Sequence, residues 1–179
     1  MALLAEELVE EWLNRQGYFT IRGVKVGVHE IDLLAVRPTP SGLECRQLEV
    51  QASVRPVSYV TRLPLAVQKA TGRSPASAKF RHDDEIRQGI KEWVAKKFDH
   101  PEKRRLRTRL APGPWTRELV LHRVKYEHEV ALITEVGIIV HRLSDIIEQL
   151  KRHDLLLEGA AGASLTDLVA LTAAIASGA

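Results

Sequence analysis

Apolar residues near the N-terminus recur at helical spacing. Leu4, Leu8 and Trp12 follow one another at i, i+4 and i+8, which places them on one face of an α-helix. The pattern ends before Gly17, and glycine commonly follows the last turn of a helix. The sequence therefore predicts a first helix over residues 3–16.

Three segments after this helix have the patterns of β-strands. Residues 18–26 are rich in aromatic and β-branched residues, and residues 46–52 alternate between apolar and polar positions. Residues 28–36 contain an apolar run on both sides of Asp32, which is typical of a central, buried strand. A proline- and glycine-containing turn at residues 38–42 separates the second strand from the third.

The second half of the chain continues with helical and strand patterns. Residues 53–80 predict no long element because prolines and a glycine interrupt them, and residues 100–114 predict a basic, proline-containing loop. The remaining patterns predict helices over 84–98, 144–152 and 164–176, and strands over 118–126 and 136–141. This order predicts an α/β fold with a mixed sheet covered on both faces. We expect one domain over residues 1–152 and, over residues 153–179, a helical extension that packs on the domain or on a partner subunit.

Composition narrows the class of protein. The single cysteine, Cys45, excludes an intramolecular disulfide and a cysteine-rich zinc site, and it fits a reducing cytoplasm. No apolar run approaches the roughly 20 residues that span a bilayer. Glutamates interrupt the first helix where a signal peptide would be apolar. We therefore expect a cytoplasmic protein without a membrane partner.

Positive charge is concentrated in one third of the chain. Residues 79–109 hold 11 Lys and Arg against 6 Asp and Glu, a net charge of +5, whereas the remainder holds 15 against 17, a net charge of −2. A basic segment of this kind attracts polyanions such as nucleic acid. The alternative, an ordinary solvated helix face followed by an exposed loop, stays open.

Two carboxylates occupy strands that can pair. Asp32 lies within an apolar run, where an unpaired carboxylate is costly, and Glu49 lies on the polar side of the third strand. Adjacent antiparallel strands can place the two side by side. Such oxygen ligands suit Mg²⁺ or Mn²⁺, and the ion can polarise a phosphodiester and activate water. Gln51 shares the face of Glu49 and could contact the same water or phosphate.

These residues resemble the motif of the PD-(D/E)xK nuclease superfamily, in which an Asp on one strand is followed by Asp/Glu-x-Lys on the next. The chain most resembles the branch of archaeal Holliday junction resolvases, because Ala5-Glu6 stands 11 residues before Gly17-Tyr18. The resemblance implies a restriction-endonuclease-like mixed sheet with an αβββαβ core flanked by helices. It covers residues 5–52 by motif, and the rest of the chain only by the order of elements.

The resemblance maps the helix glutamate of the family to Glu6, its metal-binding aspartate to Asp32 and its second carboxylate to Glu49. Two positions depart from the motif, since Gln51 replaces the lysine and Ile31 stands where the proline would precede the aspartate. A neutral glutamine cannot stabilise the negative charge of a phosphoryl transition state as a lysine does. A degenerate member that only binds nucleic acid or a protein partner therefore remains an alternative.

We expect a Mg²⁺-dependent DNA endonuclease that could work as a homodimer, with Mn²⁺ able to replace Mg²⁺. The expected catalytic residues are Asp32, Glu49, Gln51 and Glu6, of which the first two also bind the metal. The candidate nucleic-acid contacts are all basic, although each could be an ordinary surface residue: Arg22, Lys91, Lys103, Arg104, Arg105 and Arg107. A third interpretation is an unrelated α/β protein in which the two strand carboxylates are ordinary surface residues. A structure that places them on opposite faces of the sheet would establish it.

Overall fold

Five strands form one mixed sheet in the computed structural model, which describes residues 2–53, 55–151 and 156–157. The strands lie in chain order across the sheet: β1 (Phe19–Val26), β2 (His29–Thr39), β3 (Gly42–Gln51), β4 (Trp115–Leu121) and β5 (Ile139–Arg142). The pairings of β1 with β2 and of β2 with β3 are antiparallel, whereas β3 with β4 and β4 with β5 are parallel. The predicted α/β class and mixed sheet are confirmed.

Six helices accompany the sheet in the described ranges. They are α1 (Ala2–Arg15), α2 (Leu65–Thr71), α3 (Asp83–Lys97), α4 (Pro101–Leu110), α5 (Glu127–Glu135) and α6 (Leu143–Leu150). The order of elements begins with a helix and three strands and continues with helices and a fourth strand, as an αβββαβ core requires. None of these helices has the length and apolar character needed to cross a membrane.

The sheet separates two hydrophobic clusters. Leu48 and Val50 of β3 pack with buried residues of α1 and α6 on one face. On the other face, Leu119 of β4 packs with Ile86 and Ile90 of α3. Alternation along a strand sends neighbouring residues to opposite faces, so Glu49, which pairs with Leu119, lies on the α3 side.

The predicted loop over residues 100–114 is wrong over most of its length, because residues 101–110 form α4. Pro101 occupies the first turn, where proline does not cost a helical hydrogen bond. The following Lys and Arg residues are good helix formers. Lys103 and Arg107 are four residues apart and both buried, so charged residues form the inward face of this helix. A search for apolar periodicity therefore does not detect it.

Other predictions need correction or fall outside the described residues. The predicted strand 118–126 ends at Leu121, and α5, which no pattern predicted, lies before β5. The segment without predicted structure contains the short helix α2. The predicted final helix over residues 164–176 lies outside the described residues.

Candidate active site

Asp32 and Glu49 lie on the same face of the sheet. Leu33 pairs with Leu48, so the next step of the antiparallel register sets Asp32 opposite Glu49. The backbone N–H of Val50 donates to Oδ2 of Asp32 at 2.8 Å, which fixes this carboxylate at the edge of β3. Glu49 is only 2% exposed, whereas Asp32 is half-buried. The interpretation that places the two carboxylates on opposite faces does not fit this arrangement.

Two lysines from the helical layer contact Glu49. Nζ of Lys97, the last residue of α3, lies 2.5 Å from Oε2 of Glu49, and Nζ of Lys103 lies 3.4 Å from Oε1. Lys103 also donates to the backbone carbonyls of Glu30 at 2.5 Å and Lys97 at 2.9 Å. Lys103 is 1% exposed and fully engaged, whereas the Lys97 side chain keeps 34% of its surface in solvent. Lys97 is therefore the cation that a ligand at this site could reach.

Burial is the largest single influence on the pKa of Glu49, Lys97 and Lys103. It raises the pKa of Glu49 to about 7, and the neighbouring charge of Asp32 acts in the same direction, while Lys97 and Lys103 oppose it. Burial also lowers the pKa of Lys103, despite the attraction of Glu49. Burial opposes the charge on Lys97 too, but the Glu49 and Asp32 carboxylates outweigh it and raise the Lys97 pKa. Lys97 is thus protonated at neutral pH.

Glu6 approaches the same site from the first turns of α1. Burial raises the pKa of the Glu6 carboxyl, and the charges of Asp32 and Glu30 raise it further. The three carboxylates are therefore close enough to repel one another. Glu6 therefore interacts electrostatically with Asp32 and Glu30.

Gln51 is committed to the protein backbone. Its Nε2 donates to the carbonyl oxygen of Val60 at 3.2 Å. The buried carboxylate of Glu129 holds the same segment, since it accepts the backbone N–H groups of Val60 at 2.5 Å and Thr61 at 3.0 Å. Gln51 therefore anchors the segment that follows β3 through its amide nitrogen.

The candidate nucleic-acid contacts divide into internal and external residues. Lys103 and Arg107 are buried, and Arg107 donates to the side-chain oxygen of Gln47 and to the Phe98 carbonyl, so neither lies on a surface that phosphate could reach. Their assignment as phosphate contacts on an exposed loop is wrong, because α4 turns both side chains toward the sheet. Arg22 forms ion pairs with Glu7 and Glu10 at 2.9 and 3.2 Å. Three of the predicted residues are exposed on α3 and α4: Lys91, Arg104 and Arg105.

Lys97 is the residue that the sequence analysis missed. Its spacing along α3 indicates which way it faces. Lys97 follows Ile90 by seven residues and Trp93 by four, so it lies on the same side of the helix as this apolar stripe. A lysine at the end of an apolar stripe points toward the sheet. It can be detected only when its partner, Glu49, is known to lie on the opposing strand.

The donor set fits a divalent cation. Four carboxylates and three basic side chains interact electrostatically around the site: Glu6, Glu30, Asp32 and Glu49 with Arg22, Lys97 and Lys103. Hard carboxylate oxygens suit Mg²⁺ or Mn²⁺. Asp32 and Glu49 would hold the ion, and Glu6 acts on Asp32 electrostatically.

Comparison with known proteins gives little further information. No protein-family model matches the chain, and no curated protein matches it. The chain is similar to a solved structure described as "Crystal Structure of Protein of Unknown Function AF1548", with 14% sequence identity and a TM-score of 0.46 over 83% of this chain. The chain spans 66% of the length of that protein, slightly under two thirds. A similarity at this level carries no argument about function.

Proposed function

We propose that the protein is a divalent-metal-dependent nuclease that hydrolyses phosphodiester bonds in DNA. The observation that carries the proposal is the convergence of Asp32, Glu49 and Lys97 on one face of the sheet, with Lys97 Nζ 2.5 Å from the Glu49 carboxylate. Two carboxylates and a lysine are the groups of the PD-(D/E)xK motif. In this chain the lysine would come from the end of α3 because Gln51 occupies the motif position.

Each group has a defined task in this proposal. A Mg²⁺ ion held by Asp32 and Glu49 would supply the polarisation of the phosphodiester and the activation of water. Lys97 would stabilise the negative charge that develops on the phosphoryl oxygens. Lys103 keeps Lys97 in place because it donates to the Lys97 carbonyl. Gln51 positions the backbone at Val60 and does not act on the substrate.

The test compares four variants on supercoiled plasmid in Mg²⁺ or Mn²⁺. We expect Asp32→Asn and Lys97→Met each to reduce nicking by at least 100-fold. Gln51→Lys in the Lys97→Met background should restore part of the activity, since it returns the cation to the motif position. Lys96→Met, which changes the exposed lysine next to Lys97 on the same helix, is the matched control and should nick like the wild type. Full activity of Lys97→Met would contradict the assigned role of this lysine, and full activity of Asp32→Asn would contradict the site.

The second candidate is a catalytically inactive module of the same fold that binds DNA. The observation that favours it is that Gln51, which stands at the position of the motif lysine, is uncharged and donates to the Val60 carbonyl. Mn²⁺ titration calorimetry of the wild type and Glu49→Gln separates the two candidates when combined with the nicking assay. A wild type that binds DNA but neither binds Mn²⁺ nor nicks DNA would replace the nuclease by the binding module.

A further inference from the structure

Two histidines and a glutamate, none of them assigned a role above, meet beside the β1–β2 hairpin. His29 is the first residue of β2, His100 directly precedes α4, and Glu102 lies in the first turn of α4. One ligand atom from each side chain lies within 4.8 Å of the other two. The two imidazole rings are in contact, with ring centroids 3.8 Å apart.

The surrounding backbone holds these three side chains together. Lys103 Nζ donates to the carbonyl of Glu30, so α4 is fastened to β2 directly next to His29. Gly27 has a φ of +59°, and a Cβ at this position would lie 2.9 Å from Oε2 of Glu102. The carboxylate therefore approaches the hairpin closely because residue 27 has no side chain.

His100 has an unsatisfied ring nitrogen. Its Nδ1 is buried and has no hydrogen-bond partner among the residues that the structure describes. Buried polar atoms are nearly always paired, and one without a partner calls for a specific explanation, such as an ion. A cation coordinated by this nitrogen, together with the other two side chains, would provide that explanation.

We propose that His29, His100 and Glu102 form a binding site for Zn²⁺ or a similar transition-metal ion. Two imidazole nitrogens and one carboxylate oxygen are a ligand set that zinc accepts, with a fourth position left for water or another ligand. Bonds of roughly 2.0–2.2 Å require ligand atoms about 3.5 Å apart. The exposed Glu102 and the half-exposed histidines can make this small contraction by side-chain rotation.

A bound ion would link the hairpin to the beginning of α4. This junction follows Lys97 and contains Lys103, which together hold Glu49. Zinc binding should therefore raise the melting temperature of the protein, whether or not the protein is a nuclease. The zinc site rests only on the three side chains and their surroundings and does not depend on the proposed function.

The experiment is zinc titration calorimetry of the full chain, with Co²⁺ absorption spectroscopy as a second measurement. We expect one equivalent of Zn²⁺ to bind and a Co²⁺ spectrum with visible bands of a four-coordinate ion. The variants His29→Gln, His100→Gln and Glu102→Gln should each weaken binding at least tenfold. His122→Gln, a half-buried histidine elsewhere, is the control and should bind like the wild type. Glu102 is exposed on a helix, so its substitution should not impair folding.

The Glu49→Gln variant separates this site from the proposed nuclease centre. Zinc binding that persists in Glu49→Gln and is lost in Glu102→Gln would support the inference. Zinc binding that is lost in Glu49→Gln but persists in the histidine variants would overturn it, because the ion would then occupy the Asp32 and Glu49 centre. A wild type that binds no zinc at millimolar concentration would also overturn it.

Discussion

Buried charge is the dominant feature of this molecule at the scale of single residues. Glu118 of β4 is 2% exposed and accepts hydrogen bonds from Arg46 through Nε at 2.8 Å and through its second guanidinium nitrogen at 2.5 Å. His141 Nε2 lies 2.7 Å from the same carboxylate, and Thr116 donates to it at 2.5 Å. This group lies on the face opposite to Glu49, so it serves the fold and not the candidate site.

The pKa of Glu118 predicts how acid affects stability. Burial alone would raise this pKa, but the hydrogen bonds from His141 and Arg46 outweigh it and lower the pKa to about 2 from an ordinary 4.5. The folded pKa lies below the unfolded value, so the stabilisation is complete above pH 4.5 and is lost as the pH falls toward 2. A shift of this size corresponds to about 3 kcal/mol.

We therefore expect Glu118→Gln to lower the free energy of unfolding by about 3 kcal/mol at pH 7, since it leaves the Arg46 charge buried without a partner. Urea unfolding at pH 7 and pH 3 measures the effect, and the difference from the wild type should shrink at pH 3. Glu148→Gln is the control, because Glu148 forms an exposed pair with Lys151 that contributes little. An equal difference at both pH values would show that the carboxylate charge is not the cause.

Helices between the strands are attached to the sheet partly by buried charged side chains. Helix α4 turns Lys103 and Arg107 toward the sheet, where their charged ends bond backbone carbonyls and buried side chains. Long side chains can place their apolar stems in a core while their polar ends find partners. The face of α4 that packs on the sheet therefore carries charged residues in place of apolar ones.

Substitutions in α4 test this orientation. We expect Arg107→Ala to lower the free energy of unfolding by about 2–4 kcal/mol, because it leaves Gln47 and the Phe98 carbonyl without their buried donor. Arg104→Ala, on the exposed side of the same helix, should change it by less than about 0.5 kcal/mol. Urea unfolding of the two variants measures the difference. Equal effects would mean that residues 101–110 do not form a helix with this inward face.

Helix α5 holds the segment after β3 through one buried carboxylate. Glu129 is fully buried and accepts the N–H groups of Val60 and Thr61 and the Thr61 hydroxyl at 2.6 Å. We expect Glu129→Gln to destabilise the protein by about 2–3 kcal/mol, since one carboxamide oxygen cannot replace both carboxylate oxygens.

Amide hydrogen exchange measures this effect locally. In Glu129→Gln, exchange at the Val60 and Thr61 amides should accelerate more than exchange in the central strand β2. Glu127→Gln, which removes an exposed partner of Arg142 on the same helix, should leave these two amides protected. Unchanged protection in Glu129→Gln would show that the carboxylate does not hold this segment.

The elements differ in how far the sequence could predict them. Helix α1 and strands β1 and β2 follow from apolar periodicity, because most of their buried residues are apolar. Strand β3, predicted from residue 46, begins at Gly42, and it also buries Arg46, Gln47 and Glu49. Helix α4 could not be found in this way, since its inward residues are charged. The strand predicted over residues 118–126 extends beyond the end of β4 at Leu121, because Val124 and Tyr126 continue the apolar pattern. In the structure these two residues follow the strand and pack in the hydrophobic cluster on the α3 side of the sheet.

At the scale of the whole molecule, the candidate site also contains residues that the sequence predicts and one that it does not. Asp32 and Glu49 could be predicted because a carboxylate within an apolar strand is unusual and a hairpin brings the two strands together. Lys97 could not, since its distance from Glu49 depends on how α3 crosses the sheet, 48 residues later in the chain. Local patterns predict which residues share an element, whereas the packing of elements decides which residues meet.

The fold divides the basic residues of segment 79–109 into buried and exposed ones. Three of its eleven basic residues, Arg81, Lys103 and Arg107, are buried and hold the protein together. Arg104 and Arg105 remain on the outside of α4, the helix that also carries Lys103 beside Glu49. If the protein binds DNA, the accessible charge should come from this exposed side of the helix.

The salt dependence of DNA binding tests this assignment. Each phosphate contact made by a basic residue contributes about −0.9 to the slope of log K against log salt concentration for duplex DNA. We therefore expect Arg104→Gln combined with Arg105→Gln to reduce the magnitude of the slope by about 1.8, measured by fluorescence anisotropy from 50 to 200 mM salt. The control with two charges removed is Arg142→Gln combined with Lys151→Gln, at β5 and the end of α6. If the control reduces the slope equally, binding follows net charge and α4 is not the DNA-facing surface; if only the α4 variant does, the DNA lies along the helix that supports the candidate site.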